Sequence, residues 1–290
     1  MGYNNNGSCE KRRSETMKRN IRTLGLFFVL VALFSSLWIG HAANQTNVIV
    51  DGTSVSMETV SINGYTYVPL RAFCQQMNDC NITWDAASKS AKVSCKGLDL
   101  VVNTNQKYVI ANGRYFYLPN GVYCGSGALF LPVTVLAKCF AADVYWTKGN
   151  QALKVVRSGK TLESADTFYD SDDLYWMSHI IYAESGGEPF EGKIAVGTVV
   201  MNRVNNSRFP STIHDVIFQK NQFSPVASGS IDKTPNAESI VAAKIALEGY
   251  KVAGNSTFFL NRAIAKSRWI ESHCKYVSTI GHHTFYALAS

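Results

Sequence analysis

The sequence predicts two folded domains: a β-rich α+β domain over residues 44–156 and a mainly α-helical domain with a short β-sheet over residues 172–290. Alternating strands and turn signals fill the first region, whereas helical periodicity fills the second. A polar segment without periodicity, residues 157–171, separates them and is predicted to be a linker. With 290 residues, the chain is long enough for each domain to bury its own core.

Residues 1–43 have the pattern of a secretion signal. A basic segment, Lys18–Arg22, precedes an apolar run, Leu24–Ile39, and Gly40-His41-Ala42 supplies the small residues that a signal peptidase needs. The apolar run is short for a bilayer core of about 30 Å, so a cleaved signal is favoured over an anchor and no stable membrane span is expected after cleavage. Met17 is an alternative start.

Charge and cysteine content exclude several classes of function. Six of the 28 basic residues and two of the 21 acidic residues precede Ala43, which leaves 22 against 19 and a net charge of +3. That balance is too mild, and too evenly spread, for a nucleic-acid-binding protein. The seven cysteines include no C-x-x-C pair, which argues against zinc ribbons and thioredoxin-like sites. Export permits one or two disulfides within residues 74–139, with the pairing left open.

Strand and turn signals follow one another through the first domain. A strand at Val48–Val50 meets the turn Asp51-Gly52, and Asn63-Gly64 is a hairpin signal. Beyond it the pattern predicts a strand, a short helix and two more strands, at Tyr65–Leu70, Arg71–Met77, Ile82–Asp85 and Ala91–Ser94.

The same order of elements returns 62–63 residues further along the chain. Phe130-Leu131-Pro132-Val133 matches Tyr67-Val68-Pro69-Leu70, and Val144-Tyr145-Trp146 matches Ile82-Thr83-Trp84. The repetition predicts an internal duplication within the first domain.

This unit resembles the copper amine oxidase N-terminal-like domain of secreted bacterial proteins. The resemblance rests on Val50-Asp51-Gly52, Tyr67–Arg71 and Thr83-Trp84-Asp85, and it is looser in the second copy. It implies a wall-targeting or scaffolding role. No histidine lies between Ala43 and Tyr175, so the residues offer no copper site and no cofactor is expected. Aromatic residues at strand spacing suit sugar stacking or, more commonly, a core.

The second domain opens with a helix that carries a carboxylate on its apolar side. Asp172 or Asp173 is expected to cap the start, and Gly186-Gly187 is expected to end the helix. At about 100° per residue, Glu184 falls on the apolar stripe of this helix, which is formed by Leu174, Met177, Ile180 and Ile181.

A carboxyl group on an apolar stripe is expected to have a raised pKa, because burial disfavours its charged form. A glutamic acid that keeps its proton near neutral pH is what glycosidic bond cleavage requires of a general acid. The alternative is a buried structural ion pair between Glu184 and a base such as Arg203.

The remaining helices and strands are predicted from the spacing of apolar residues and from capping residues, glycines and prolines at their ends. The helix at Lys193–Val204 is apolar nearly all round, and Gly197 and Thr198 would let another helix approach closely. After it the sequence predicts a helix at Thr212–Gln219, a loop at Asn221–Val226, a helix from Thr234-Pro235 to Gly249, and strands at Phe258–Leu260 and Thr284–Tyr286.

The sequence motifs around Glu184 resemble those of the cell wall hydrolase family of spore cortex-lytic enzymes (SleB/CwlJ type). They are Ile181–Lys193, Val200–Val204, Gln222–Val226, Lys266–Ile270 and Ile280–Tyr286. The resemblance covers residues 172–290. It implies a lysozyme-like domain that cleaves peptidoglycan between N-acetylmuramic acid and N-acetylglucosamine, after secretion to the cell wall or spore cortex. It also implies that Glu184 is the catalytic acid.

Members of this family that resemble the chain work with one glutamate, as lytic transglycosylases. We therefore expect 1,6-anhydromuramyl ends, with the glycan held by Glu188, Asn202, Arg203, Gln222, Phe223 and Ser224. A lysozyme-type muramidase with Glu188 as second carboxylate is one alternative, and a non-catalytic wall-binding protein is another.

A zinc amidase or endopeptidase is a third alternative. His282-His283 with His273 and Cys274 would supply its ligands, but no H-E-x-x-H motif is present, and the expected site holds no metal. Peptidoglycan is the one partner that the sequence indicates, and no protein partner is identified.

Overall fold

The computed structural model describes residues 44–149, 152–265 and 267–289. The predicted signal peptide, residues 1–43, lies outside these described residues. Along the ranges that are described, every helix is too short or too polar to cross a bilayer.

The first region is β-rich, as the sequence predicts. Its strands are β1 Asn44–Val50, β2 Thr53–Ile62, β3 Tyr65–Pro69, β4 Asn81–Asp85, β5 Ser90–Cys95, β6 Leu98–Asn103, β7 Tyr108–Ala111, β8 Arg114–Tyr117, β9 Tyr123–Gly125, β10 Ala128–Pro132, β11 Ala142–Trp146 and β12 Ala152–Arg157. Its helices are α1 Leu70–Met77 and α2 Val133–Cys139.

These strands form two sheets. A seven-stranded sheet has the order β11-β12-β1-β2-β3-β10-β9, and a five-stranded meander runs from β4 to β8. The predicted hairpin at Asn63-Gly64 is confirmed: both residues have positive φ, which suits a tight turn between β2 and β3. β1 and β12 pair in parallel, with Val48 opposite Leu153, so the two ends of the region lie side by side.

Strand, helix and two strands follow in the same order from β3 and from β10. Common descent of the two segments stays a prediction. The core between the sheets and helices contains fully buried Phe73, Leu100 and Leu136. Cys80 and Cys95 form a disulfide, which joins the start of β4 to the end of β5.

The second region is mainly helical, with one small sheet. Its helices are α3 Ala165–Phe168, α4 Ser171–Ser185, α5 Phe190–Val204, α6 Ile213–Phe218, α7 Ser224–Ser228, α8 Ala237–Leu247 and α9 Trp269–His273, with a 3₁₀ turn at Ser230–Asp232. Its strands are β13 Phe258–Asn261, β14 Cys274–Ile280 and β15 His283–Leu288, in the order β13-β15-β14.

The helix caps differ from the sequence-based expectation. Asp170, rather than Asp172 or Asp173, caps α4, because its carboxylate accepts bonds from the amides two and three residues further on. Asn236, rather than Thr234, caps α8 in the same way. The predicted loop at Asn221–Val226 is partly helical: α7 begins at Ser224, where Pro225 presets a helical φ.

The predicted close approach at Gly197 is confirmed. A Cβ there would lie 2.6 Å from the Ala246 Cβ and 3.0 Å from the Ile181 Cδ1, so α5 packs directly on α8 and α4. This contact fixes the helix that carries Glu184 against the centre of the domain.

The two regions share an apolar contact, which we call the seam. Tyr117 of β8 is buried in the core of the helical region, with its ring 6.0 Å from that of Tyr250 and 6.5 Å from that of Phe190. Arg114 bonds both carboxylate oxygens of Glu248, at 2.8 and 2.7 Å. The predicted linker contributes to the seam, since the Tyr169 hydroxyl, just beyond α3, donates to Glu248 at 2.9 Å.

Candidate active site

A cavity of about 1250 Å³ opens on the helical region. Its walls come from the end of α4, the end of α5, the α6–α7 segment and the residues from β13 to α9. Six of the seven predicted site residues line it, namely Glu184, Glu188, Arg203, Gln222, Phe223 and Ser224.

Glu184 lies in the last turn of α4, on the side that carries the fully buried Met177, Ile180 and Ile181. Burial raises the pKa of its carboxyl to about 7, and the charge of Arg203 opposes this only in part. None of the described residues contributes a hydrogen bond to that pKa. A half-buried carboxyl group with these surroundings keeps its proton close to neutral pH, as a general acid must.

Arg203 lies at the end of α5 and is 3% exposed. Its Nε donates to the Thr257 carbonyl at 2.7 Å, and its guanidinium carbon lies 5.1 to 5.2 Å from the ring centres of Phe209, Phe223 and Phe258. The structural ion pair with Glu184, one of the alternatives from the sequence, is absent from the described chain: the two groups interact through their charges without a hydrogen bond.

Glu188 lies between α4 and α5, and both of its carboxylate oxygens are bonded. The backbone amide of His282 donates to one oxygen at 2.9 Å, and the His282 Nδ1 lies 3.0 Å from the other. Burial would raise the pKa of Glu188, but these two bonds, together with the electrostatic effects of His283 and His282, lower it. Gly281 is required here, because a Cβ would lie 2.0 Å from the Glu188 Oε2.

His283 lines the cavity beside Glu184 and Glu188 but was not among the predicted site residues. It is 8% exposed, and its ring lies 5.0 Å from that of Phe259. Burial lowers its pKa, so the ring is neutral at pH 7. His283 is the first residue of β15, and the only signal for it in the sequence is the second histidine of the His282-His283 pair before the closing strand.

The structure does not bring Asn202 into the cavity. Its side-chain amide donates to the carbonyls of Gly254 and Ser256, at 2.9 and 2.8 Å. These bonds hold the loop before β13, so Asn202 supports the wall of the cavity rather than lining it.

Aromatic residues beyond those predicted also line the cavity. They are Phe218, Phe258, Phe259 and Trp269, and Trp269 is 50% exposed and stacks on His273 at 4.9 Å. Periodicity placed Phe258 and Phe259 on a strand, but alternation along a strand does not tell which of its faces meets a cavity.

The three-ligand cluster of the zinc alternative is not formed by the described residues, where no three His, Cys, Asp or Glu side chains group as metal ligands would. What the cavity offers chemically is a protonated carboxyl group, a buried cation and aromatic walls in an open cleft. Saccharide sites combine such aromatic faces with a few polar groups.

Two family models match this chain. Residues 187–286 match the Cell Wall Hydrolase family, and residues 49–155 match the Copper amine oxidase N-terminal domain. Glu184 lies three residues before the first of these ranges.

The matching relatives are spore cortex-lytic enzymes. That of Bacillus cereus is 38% identical over 117 residues, which are 40% of this chain and 45% of the relative. That of Bacillus subtilis is 32% identical over 117 residues, which are 40% of this chain and 38% of the relative. The chain therefore spans less than half the length of these curated relatives.

A solved structure, the catalytic domain of the germination-specific lytic transglycosylase SleB from Bacillus anthracis, is 37% identical. The match covers 41% of this chain and 96% of that one, with a TM-score of 0.39. Through the two model matches, residues 187–286 belong to the cell wall hydrolase family, and residues 49–155 belong to the copper amine oxidase N-terminal domain family.

Proposed function

We propose that this protein cleaves the glycan strands of peptidoglycan as a lytic transglycosylase, with Glu184 as its single catalytic carboxyl group. The observation that carries the proposal is the position of Glu184: burial raises its pKa to about 7, and it lines a cavity large enough for several sugar units. The substrate is assigned to the spore cortex because the matching relatives are named spore cortex-lytic enzymes.

The reaction needs one proton donor that later becomes a proton acceptor. The Glu184 carboxyl gives its proton to the glycosidic oxygen between N-acetylmuramic acid and N-acetylglucosamine, and the bond from that oxygen to the muramyl C1 breaks. The Glu184 carboxylate then takes the proton of the muramyl 6-hydroxyl, whose oxygen bonds to C1. Because this nucleophile is tethered to the reacting sugar, no second carboxylate and no ordered water are needed.

The surroundings of Glu188 favour this one-carboxylate mechanism over a muramidase. A second catalytic carboxylate must be free to attack C1 or to activate a water molecule. Glu188 instead bonds the His282 amide and ring with its two oxygens. We propose that Glu188 stabilises the turn at Gly281 and, through this turn, one side of the cavity.

Mass spectrometry of the products tests the proposal. Cortex and vegetative peptidoglycan are digested with the protein, and soluble muropeptides are expected to be lighter by one water than hydrolytic products. Glu184→Gln should release about 10²- to 10⁴-fold less product, the usual contribution of general acid catalysis. Glu188→Gln is the matched control and should still give anhydro ends.

Two results would contradict the proposal. Reducing muramic acid ends alone would indicate a hydrolase with Glu188 as second catalyst. Wall binding without release of muropeptides, unchanged in Glu184→Gln, would indicate a non-catalytic wall-binding protein.

We also propose that the protein is secreted after cleavage of residues 1–43, and that residues 44–156 place the catalytic region on the wall. N-terminal sequencing of the exported protein checks the first point. A protein that starts at Asn44 is expected.

A further inference from the structure

Arg203 is a buried cation, and no anion among the described residues is bonded to it. One nitrogen, Nε, donates to the Thr257 carbonyl, and another, Nη1, is buried with no hydrogen-bond partner in the part of the chain that the structure describes. The three phenylalanine rings around the guanidinium supply polarisable faces but no negative charge. A buried ion normally pairs with an opposite charge, so the Arg203 guanidinium is able to pair with an anion that forms beside it.

The ionisable groups that face Glu184 across the cavity are few. Arg203 is the one whose charge acts on the pKa of Glu184, and Glu184 is the one whose charge acts on Arg203. Glu188 is bonded to His282, and His283, which also lines the cavity, is neutral because burial lowers its pKa. Lys220 is the remaining charged residue among the described lining residues.

We propose that Arg203 is a positioning residue for Glu184: it forms an ion pair with this carboxylate only while Glu184 is without its proton. This inference rests on the proposed function and deepens it, because it assigns Arg203 to the acid rather than to the glycan.

The attraction between Arg203 and Glu184 changes with the protonation state of Glu184 during the reaction. Glu184 begins neutral, becomes a carboxylate when its proton goes to the glycosidic oxygen, and is neutral again when the muramyl 6-hydroxyl returns a proton. The attraction to Arg203 is therefore weak in the starting complex and strong once negative charge develops on Glu184. An interaction that strengthens only along the reaction lowers the barrier without tightening the binding of substrate.

The rings of Phe209, Phe223 and Phe258 keep this charge in place. They exclude water from the guanidinium, and a low local dielectric strengthens its attraction to a carboxylate. The bond from Nε to the Thr257 carbonyl fixes the orientation of the group before the reaction starts.

Kinetics as a function of pH test the proposal with Arg203→Met, which removes the charge, and Arg203→Lys, which keeps it. Arg203→Met should lower kcat about tenfold to a hundredfold and leave KM within about threefold, because the lost interaction belongs to the transition state. In its profile of kcat against pH, the fall in activity on the alkaline side (the alkaline limb) should move up by about one pH unit, since Glu184 without the nearby cation holds its proton more tightly. Arg203→Lys should keep the limb in place.

Arg208→Met is the matched control, because Arg208 is exposed on the same region and does not line the cavity. It should behave as the unaltered protein. A rise in KM with an unmoved alkaline limb in Arg203→Met would overturn the proposal and make Arg203 a glycan-binding residue.

A second measurement needs neither activity nor a folded Arg203→Met variant. The NMR signals of the Arg203 guanidinium in the full protein should titrate with a midpoint near pH 7, and this titration should vanish in Glu184→Gln. Guanidinium signals that ignore the ionisation of Glu184 would refute the pairing. An inactive protein that still shows the titration would separate failure of the proposed function from failure of this inference.

Discussion

Arg114 and Arg203 are both largely shielded from solvent, and their surroundings differ. Arg114 at the seam bonds both oxygens of Glu248, and its guanidinium lies 3.3 Å from the ring centre of Phe168. Arg203 at the cavity bonds one carbonyl and is bonded to no carboxylate in the described chain. Both are held against aromatic rings, so the difference lies in the anion.

The comparison separates a group that holds the fold from one that is available to chemistry. A buried charge that is bonded to a bidentate partner is already paired in the resting protein. Removing either partner leaves the other as an unpaired buried charge. A buried charge beside a protonated carboxyl group becomes satisfied only when that carboxyl ionises. Among the described residues, the charged pair at the seam is therefore fully bonded, whereas Arg203 at the cavity keeps one buried nitrogen without a hydrogen-bond partner.

The largest expected effect on stability comes from the seam. Arg114→Met removes the cation from the Glu248 carboxylate, whose side chain is 3% exposed, and leaves it with the bond from the Tyr169 hydroxyl. Breaking a buried pair in this way costs about 3 to 5 kcal/mol, so the free energy of unfolding should fall by that amount in urea unfolding followed by circular dichroism.

Lys107→Met is the matched control for the seam. The pair of Lys107 with Glu191 also joins the two regions, but the Lys107 side chain is 53% exposed. Exposed pairs contribute about 0 to 1 kcal/mol, so this variant should unfold almost with the unaltered protein. Equal losses in the two variants would contradict the contrast between a buried and an exposed pair.

The next effect concerns Glu184 and depends on pH. Its folded-state pKa is raised from 4.5 to about 7, so its contribution to stability is complete below about pH 4.5 and is lost as the pH rises to 7. Glu184→Gln does not ionise and escapes this loss. It should be more stable than the unaltered protein by about 3 kcal/mol at pH 8, and equally stable at pH 4.

Thermal unfolding between pH 4 and pH 8 checks this prediction. A stability difference between the two proteins that stays constant with pH would mean that Glu184 ionises as an ordinary surface carboxyl group does. The comparison between cavity and seam would then lose its electrostatic basis.

Apart from the Lys107→Met control, the smallest effect is expected at Glu188, and its pH dependence has the opposite sign to that of Glu184. The pKa of Glu188 is lowered, so its carboxylate stabilises the fold above pH 4.5 and loses this contribution as the pH falls through the lowered pKa. Glu188→Gln should therefore be about 1 to 2 kcal/mol less stable at pH 7, and the gap should close in acid. The same thermal unfolding series measures it, and a gap that widens in acid would contradict the prediction.

Much of the secondary structure follows from local rules. The turn at Asn63-Gly64 needs positive φ at both residues, and an apolar stripe that includes Glu184 needs only helical spacing. The caps were harder to predict, because Asp170, Asp172 and Asp173 are all able to cap a helix. Asp170 does so because the first helical residue is Ser171, and sequence patterns locate helix ends only to within a few residues.

Contacts between distant residues were decided by the tertiary structure. Arg114 and Glu248 are 134 residues apart, and Glu188 and His282 are 94 residues apart. The pairing of Cys80 with Cys95 and the place of His283 in the cavity depend equally on packing.

The sequence by itself determined that Glu184 is a carboxyl group on an apolar stripe, since helical spacing of neighbouring residues suffices for that. Whether Glu184 is paired was decided only by the fold. The pKa of a buried acid depends on the charges and bonds that packing brings near it, and for Glu184 packing supplies a cation that stops short of bonding it.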